Sequence, residues 1–109
     1  IQLMVIKKDK TRQLFSKEKL LNSFLTACHK RPVSVKVLEK AVNEIEADLL
    51  NEMDREVSYA KIGELAMKKL KEIDDIAYVR FASVYKQFKD VETFMNELEI
   101  VLDNMKSKN

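Results

Sequence analysis

Glycine and proline are almost missing from this sequence. Gly63 and Pro32 are the only ones in 109 residues, and there is no tryptophan, one cysteine and one histidine. A chain so short of turn formers and so rich in helix formers is expected to be mainly helical and ordered over most of its length. The lone Cys28 excludes an internal disulfide framework and a cysteine-based zinc site, and fits a reducing intracellular location. No apolar run approaches the ~18 residues of a membrane span. Nothing reads as a secretory signal, because Ile1–Ile6 is too short and its charge follows instead of preceding it. Neither GxxxxGK[ST] nor GxGxxG occurs, so any nucleotide site must use side-chain cations in place of a glycine-rich cradle. Repeats and low-complexity segments are absent too. Catalysis is not expected. His29 follows Cys28 directly, and adjacent helical residues point about 100° apart, so the two cannot share a face as a nucleophile pair. The other candidate, Asp74-Asp75, reads better as a helix boundary than as a metal or acid–base pair. The chain opens at Ile1 without Met, as a piece of something longer would.

What is present is charge on a substantial apolar background, 35% against 46%. A single domain of this length buries roughly 65% of its unfolded surface, enough for a core without staples. The densest charge lies from Val5 to Lys19, with Lys7, Lys8, Lys10, Arg12, Lys17 and Lys19 opposed by Asp9 and Glu18. Apolar arms at Val5-Ile6 and Leu14-Phe15 around a polar turn at Asp9–Thr11 predict a β-hairpin. Ser16 then stands as the N-cap of a helix. Lys19 falls in that helix's first turn, next to free N–H groups and the positive end of the dipole, where a cation is costly unless an anion sits there. A polyphosphate is the first candidate for that anion.

The chain after the hairpin divides into five helical segments. Lys17–Lys30 carries Leu20, Leu21, Phe24, Leu25 and Cys28 on one face and ends at Arg31-Pro32. Ser34 caps a second helix running to about Met53, with Val35, Leu38, Val42, Ile45 and Leu49 inward. Asp54–Val57 is too short for a helix and is expected to add a third strand to the hairpin. Ser58 or Tyr59 opens a third helix whose buried stripe is Ile62, Leu65, Ala66, Leu70 and Ile73. Gly63 sits inside it at a cost of about 1 kcal/mol, which a close approach by another group would explain. A fourth helix, Ile76–Phe88, is apolar on most sides. Asp90 caps a fifth, with Val91, Phe94, Met95, Leu98, Val101, Leu102 and Met105 inward. Asp90 to Asp103 holds five acids and no base, the reverse of the hairpin.

The residues alone leave the basic hairpin three readings: a nucleotide-phosphate site, a nucleic-acid backbone site, or a solvated surface. Apolar residues close to the turn suit an adenine-sized slot beside a phosphate site, whereas a DNA ribbon would spread its bases along one exposed face.

Four stretches carry a resemblance. Val5-Ile6-Lys7-Lys8-Asp9, with Phe15 and Glu18-Lys19-Leu20, resembles the opening of the ATP-cone, the regulatory nucleotide-binding domain of many ribonucleotide reductases. Lys30-Arg31-Pro32-Val33-Ser34, Arg55-Glu56-Val57 with Ile62-Gly63-Glu64-Leu65, and Ala77–Tyr85 narrow it. Together they resemble the cone of the bacterial transcriptional repressors of ribonucleotide reductase genes, over roughly Leu3–Leu102. The chain departs from the pattern at Lys8, where Arg is usual, and at Lys10, where the turn glycine is usual. A different turn backbone is expected there, since Lys avoids positive φ.

The resemblance implies an α+β, mainly helical fold, a small three-stranded β lid over a helical bundle. Residues 1–105 would be the nucleotide-binding cone and 106–109 a tail. ATP or dATP would lie between lid and bundle, with Mg²⁺ on the triphosphate. Lys7, Lys8 and Lys19 would hold phosphates, Val5, Phe15 and Ile62 would form the base slot, and Arg31 would reach phosphates from the helix end. Glu56 and Tyr85 are further candidates. Zinc belongs to a ribbon domain that precedes the cone in the repressors and contacts DNA; its four cysteines are not in this chain. The expected function is that of the ATP- or dATP-sensing regulatory domain of such a repressor, a homo-oligomer whose association changes on nucleotide binding and thereby alters DNA binding, in the bacterial cytoplasm and without enzymatic activity. The alternative is the allosteric cone of a ribonucleotide reductase subunit.

Overall fold

Residues 2–51, 55–86 and 91–107 are described by the structure, a computed structural model. Within them the elements are β1 (Met4–Ile6), β2 (Arg12–Leu14), α1 (Lys17–Ala27), α2 (Val35–Leu50), β3 (Glu56–Ser58), α3 (Tyr59–Ile73), α4 (Asp75–Tyr85) and α5 (Val91–Ser107). The fold is the expected mainly helical α+β arrangement. The sheet order is β2-β1-β3. Val5 pairs antiparallel with Gln13 and parallel with Val57. A parallel pair needs a long crossover, and here α1 and α2 together supply it. The third strand comes slightly later than predicted. Arg55 takes a left-handed φ of 56°, so the extended strand starts only after it, although its carbonyl already accepts from Met4 N–H at 2.9 Å. Asp54 and Met53, the expected strand start and helix end, lie outside the described residues; α2 itself stops at Leu50.

The hairpin turn corrects the sequence reading. Lys10 does adopt positive φ, at 71°. The Asp9 carboxylate accepts from Thr11 N–H at 3.0 Å and from the Thr11 hydroxyl at 2.6 Å, while Lys10 N–H donates to Lys7 C=O at 2.9 Å. These bonds offset the roughly 1–2 kcal/mol a side chain costs in the left-handed region. The Thr11 hydroxyl, and then its N–H, hold Asp9 below its ordinary pKa.

Caps fix the helix starts. Ser16, Ser34 and Ser58 accept from Lys19, Val37 and Lys61 N–H, and Asp74 from Ala77 N–H. The cap expected at Asp90 lies outside the described residues. α1 ends three residues earlier than predicted. Cys28 N–H closes on Phe24 C=O, Lys30 turns left-handed at φ 60°, and the chain has left the helix before Pro32.

Phe24, Leu38, Val42, Ile45, Leu49 and Leu70 are fully buried where α1, α2 and α3 meet, with Val101 of α5. Each contributes about 1.5–3 kcal/mol by leaving water. α4 packs against α1, α3 and α5, so its near-continuous apolar surface is largely that of an inner helix. Leu25 and Val35 are exposed, as are Val91, Met95 and Leu102 of α5, all read as inward. α5 meets α4 through a narrower face that includes half-buried Glu97 and Leu98 and buried Val101. The side chains of Phe94 and Met105 lie outside those described. Tyr78 O–H donates to Glu97, and Lys71 Nζ lies 5.6 Å from the centre of its ring. Burial, then Glu97, pushes the Tyr78 pKa up to about 12. Among the described residues no helix is long and apolar enough to cross a membrane.

Candidate functional site

Between the sheet and the bundle lies a cavity of about 790 Å³. Its roof comes from Val5, Lys7 and Lys8 at the end of β1 and from Gln13–Phe15 of β2. Its floor is one face of α1. Ser16, Lys19, Ser23 and Thr26 recur at spacings of three and four, so they form a single polar stripe along the helix. Tyr59, Ile62 and Gly63 at the start of α3 form one side wall, and Arg80, Phe81, Val84 and Tyr85 of α4 the other.

The charge of this lining is one-sided. Among the described residues, Lys7, Lys8, Lys19 and Arg80 line the cavity and no carboxylate does. Among the described residues the ion pairs are Arg12–Glu56, Lys17–Glu46, Arg31–Asp74, Lys69–Glu44 and Lys86–Glu97, and none uses Lys7, Lys8 or Lys19. Three exposed ammonium groups therefore line one cavity without a salt bridge to any described residue, although the Asp9 carboxylate lies close enough to Lys7 to feel its charge. Arg80 is anchored differently. Its Nη1 donates to the carbonyls of Ala27 at 3.1 Å and His29 at 2.7 Å, at the C-terminal end of α1. α1 has no base in its own last turn, so Arg80 supplies from α4 the cation that the negative dipole end favours. No group of three or more His, Cys, Asp or Glu side chains forms a metal site among the described residues. Among the described lining residues no carboxylate is available to Mg²⁺; the side-chain oxygens there include those of Gln13, Ser16, Ser23 and Thr26.

The aromatic wall has its own logic. Tyr85 lies across α3 where Gly63 has no side chain. A Cβ at Gly63 would come within 1.9 Å of the Tyr85 ring, which is the close approach the sequence suggested. Tyr85 O–H donates to Ala60 C=O at 2.9 Å. Burial, then Tyr59 and Glu64, raises its pKa. Behind it the rings form a chain, with Phe24 edge-on to Phe81 at 6.1 Å, Phe81 stacked on Tyr85 at 5.9 Å and Tyr85 against Tyr59 at 5.6 Å.

Of the nine candidates from sequence, seven meet in this cavity: Val5, Lys7, Lys8, Phe15, Lys19, Ile62 and Tyr85. Arg31 and Glu56 are not in its wall. Both oxygens of Asp74 take the Arg31 guanidinium, at 2.9 and 3.0 Å, which ties the α1–α2 connection to the cap of α4. Glu56 faces Arg12 across the sheet, at 3.1 Å. Burial alone would raise the Asp74 pKa, but Arg31 and the Ala77 N–H outweigh it and hold the carboxyl below its ordinary value. Sequence reasoning missed Arg80, Tyr59, Ser23 and Thr26. The polar stripe of α1 was visible in its spacing. Arg80 gave no such signal, because its carbonyl partners lie more than fifty positions away.

The family model of the ATP cone domain matches residues 3–91. The transcriptional repressor NrdR of Acetivibrio thermocellus is 58% identical over 103 residues, covering 94% of this chain and 68% of that protein. That of Caldanaerobacter subterraneus is 52% identical over 108 residues, 99% of this chain and 68% of the relative. That of a Thermoanaerobacter species is 48% identical over 108 residues, with the same coverage.

Proposed function

The chain belongs to the ATP-cone family, within the transcriptional repressors named NrdR, and we propose that its cavity binds ATP or dATP and that the bound nucleotide sets how copies of the chain associate. Its relatives are named transcriptional repressors, and the chain acts with them as a regulator and not as an enzyme. The observation that carries the nucleotide reading is the lining itself, in which the described residues set four cations and no carboxylate beside apolar and aromatic walls. A polyanion attached to a flat apolar group satisfies both halves at once. Lys7 and Lys8 hold phosphates from the lid and Lys19 from the first turn of α1. Val5, Phe15, Ile62 and Tyr85 shape the slot for the base. Any Mg²⁺ arrives on the phosphates. The cone spans residues 1–105, followed by a short tail. Association in turn alters the repressor's hold on DNA at ribonucleotide reductase genes, in the bacterial cytoplasm.

Calorimetry with ATP and with adenosine tests the site. Lys19→Ala removes one charge-assisted contact, worth about 1.5–3 kcal/mol, so ATP affinity falls roughly ten- to a hundredfold while adenosine affinity stays near wild type. Equal losses for both ligands would make Lys19 a structural residue and remove the phosphate assignment.

A further inference from the structure

The lining does not by itself say what the aromatic wall is for. Tyr59 stands out there. It is 47% exposed, yet it ends a chain of rings that begins at fully buried Phe24 and passes through half-buried Phe81 and Tyr85. Exposing an aromatic ring on an otherwise packed wall forgoes apolar burial. An open ring beside a cationic cavity regains it only when something flat covers it.

The backbone beneath Tyr59 is fixed from three directions. Ser58, the residue before it, pairs with Ile6 in the sheet and caps α3 through Lys61 N–H. The next residue, Ala60, accepts the Tyr85 hydroxyl. Tyr85 is itself held over Gly63, so it backs the Tyr59 ring at 5.6 Å with 35° between their planes. The ring is thereby positioned at little entropic cost on binding, since a tyrosine has only two side-chain torsions to settle.

We propose that Tyr59, backed by Tyr85, is the stacking platform for the base of the bound nucleotide and makes the slot favour a purine. This rests on the nucleotide reading of the cavity and adds to it a residue on the α3 wall. A purine offers the larger π-face, and stacking of a base on an aromatic side chain is sequence-tolerant in kind but graded by that face.

The test is calorimetry of the purified chain with ATP, CTP and inorganic tripolyphosphate, on wild type, Tyr59→Leu and Tyr59→Phe. Melting curves check that each variant folds, and Tyr59→Phe keeps the experiment decisive if the leucine variant does not fold. Wild type is expected to prefer ATP to CTP. Tyr59→Leu should lose about five- to a hundredfold in ATP affinity, bring ATP and CTP together and leave tripolyphosphate binding unchanged. Tyr59→Phe, which keeps the ring, should stay near wild type. Unchanged ATP affinity in Tyr59→Leu, a loss in Tyr59→Phe, or parallel losses for ATP and tripolyphosphate would overturn the platform while leaving the cationic site standing. Failure of the wild type to bind ATP or tripolyphosphate would overturn the site reading and the platform with it.

Discussion

Gly63 is glycine because Tyr85 occupies the space its side chain would need. An added methyl must displace the ring and with it the 2.9 Å bond to Ala60 C=O. Overpacking of this kind costs about 1–3 kcal/mol, and the better helix propensity of alanine returns about 1. Gly63→Ala should therefore destabilise the chain by up to about 2 kcal/mol. In a Tyr85→Ala background the clash is gone, and the same change should be neutral or stabilising by up to about 1 kcal/mol. Denaturant melts of the four proteins read this directly, and an equal effect in both backgrounds would contradict the contact. The contact was half legible: a glycine inside a helical pattern points to a close neighbour but does not name it. Lys10 was misread for a comparable reason. Its left-handed φ depends on what the Asp9 carboxylate does two residues on, and a preference for one residue does not carry that information. Arg31 was assigned to a ligand because its partner, Asp74, lies 43 positions away.

The element most tightly specified is the junction of α1, α2 and α4. Arg31, just past α1, forks onto Asp74, and Asp74 also caps α4 through Ala77 N–H. Arg80 of α4 returns the contact to the carbonyls of Ala27 and His29. Two arginines thus clasp the end of α1, whose first turn carries Lys19, to the helix that carries Tyr85. Because the Asp74 carboxyl titrates below its ordinary value, its stabilisation is present above the unfolded carboxylate pKa and is lost as pH falls through the folded one. Asp74→Asn keeps a capping oxygen but loses the charge. It should be less stable at neutral pH by about 1.5–3 kcal/mol, and its stability should fall less than that of the wild type below about pH 4. Thermal melts across that range decide it, and parallel curves for the two proteins would remove Asp74 from the acid response. Sequence periodicity located every helix here, since Ser16, Ser34, Ser58 and Asp74 mark their starts. It set the end of α1 too late, and it rotated α5, because exposed Val91, Met95 and Leu102 widen its apolar stripe beyond the face that touches α4.

At the scale of the whole molecule, α4 lies between the cavity and α5. One of its faces carries Arg80, Phe81 and Tyr85 into the cavity, and Tyr78 holds Glu97 of α5. On α5, Val91, Met95, Ile100 and Leu102 are exposed, Val91 at 76%. The fifth helix is acidic and the hairpin basic. Apolar surface rimmed by charge is suited to contact between copies of the chain. A nucleotide can shift that contact only by binding one arrangement of α4 and α5 better than another. The most direct measurement is sedimentation of the purified chain alone, with saturating ATP and with saturating dATP, beside Met95→Glu on exposed α5. The account predicts that at least one nucleotide changes the wild-type oligomer, and that Met95→Glu removes the change while calorimetry shows nucleotide affinity intact. Identical sedimentation with and without saturating nucleotide would contradict it.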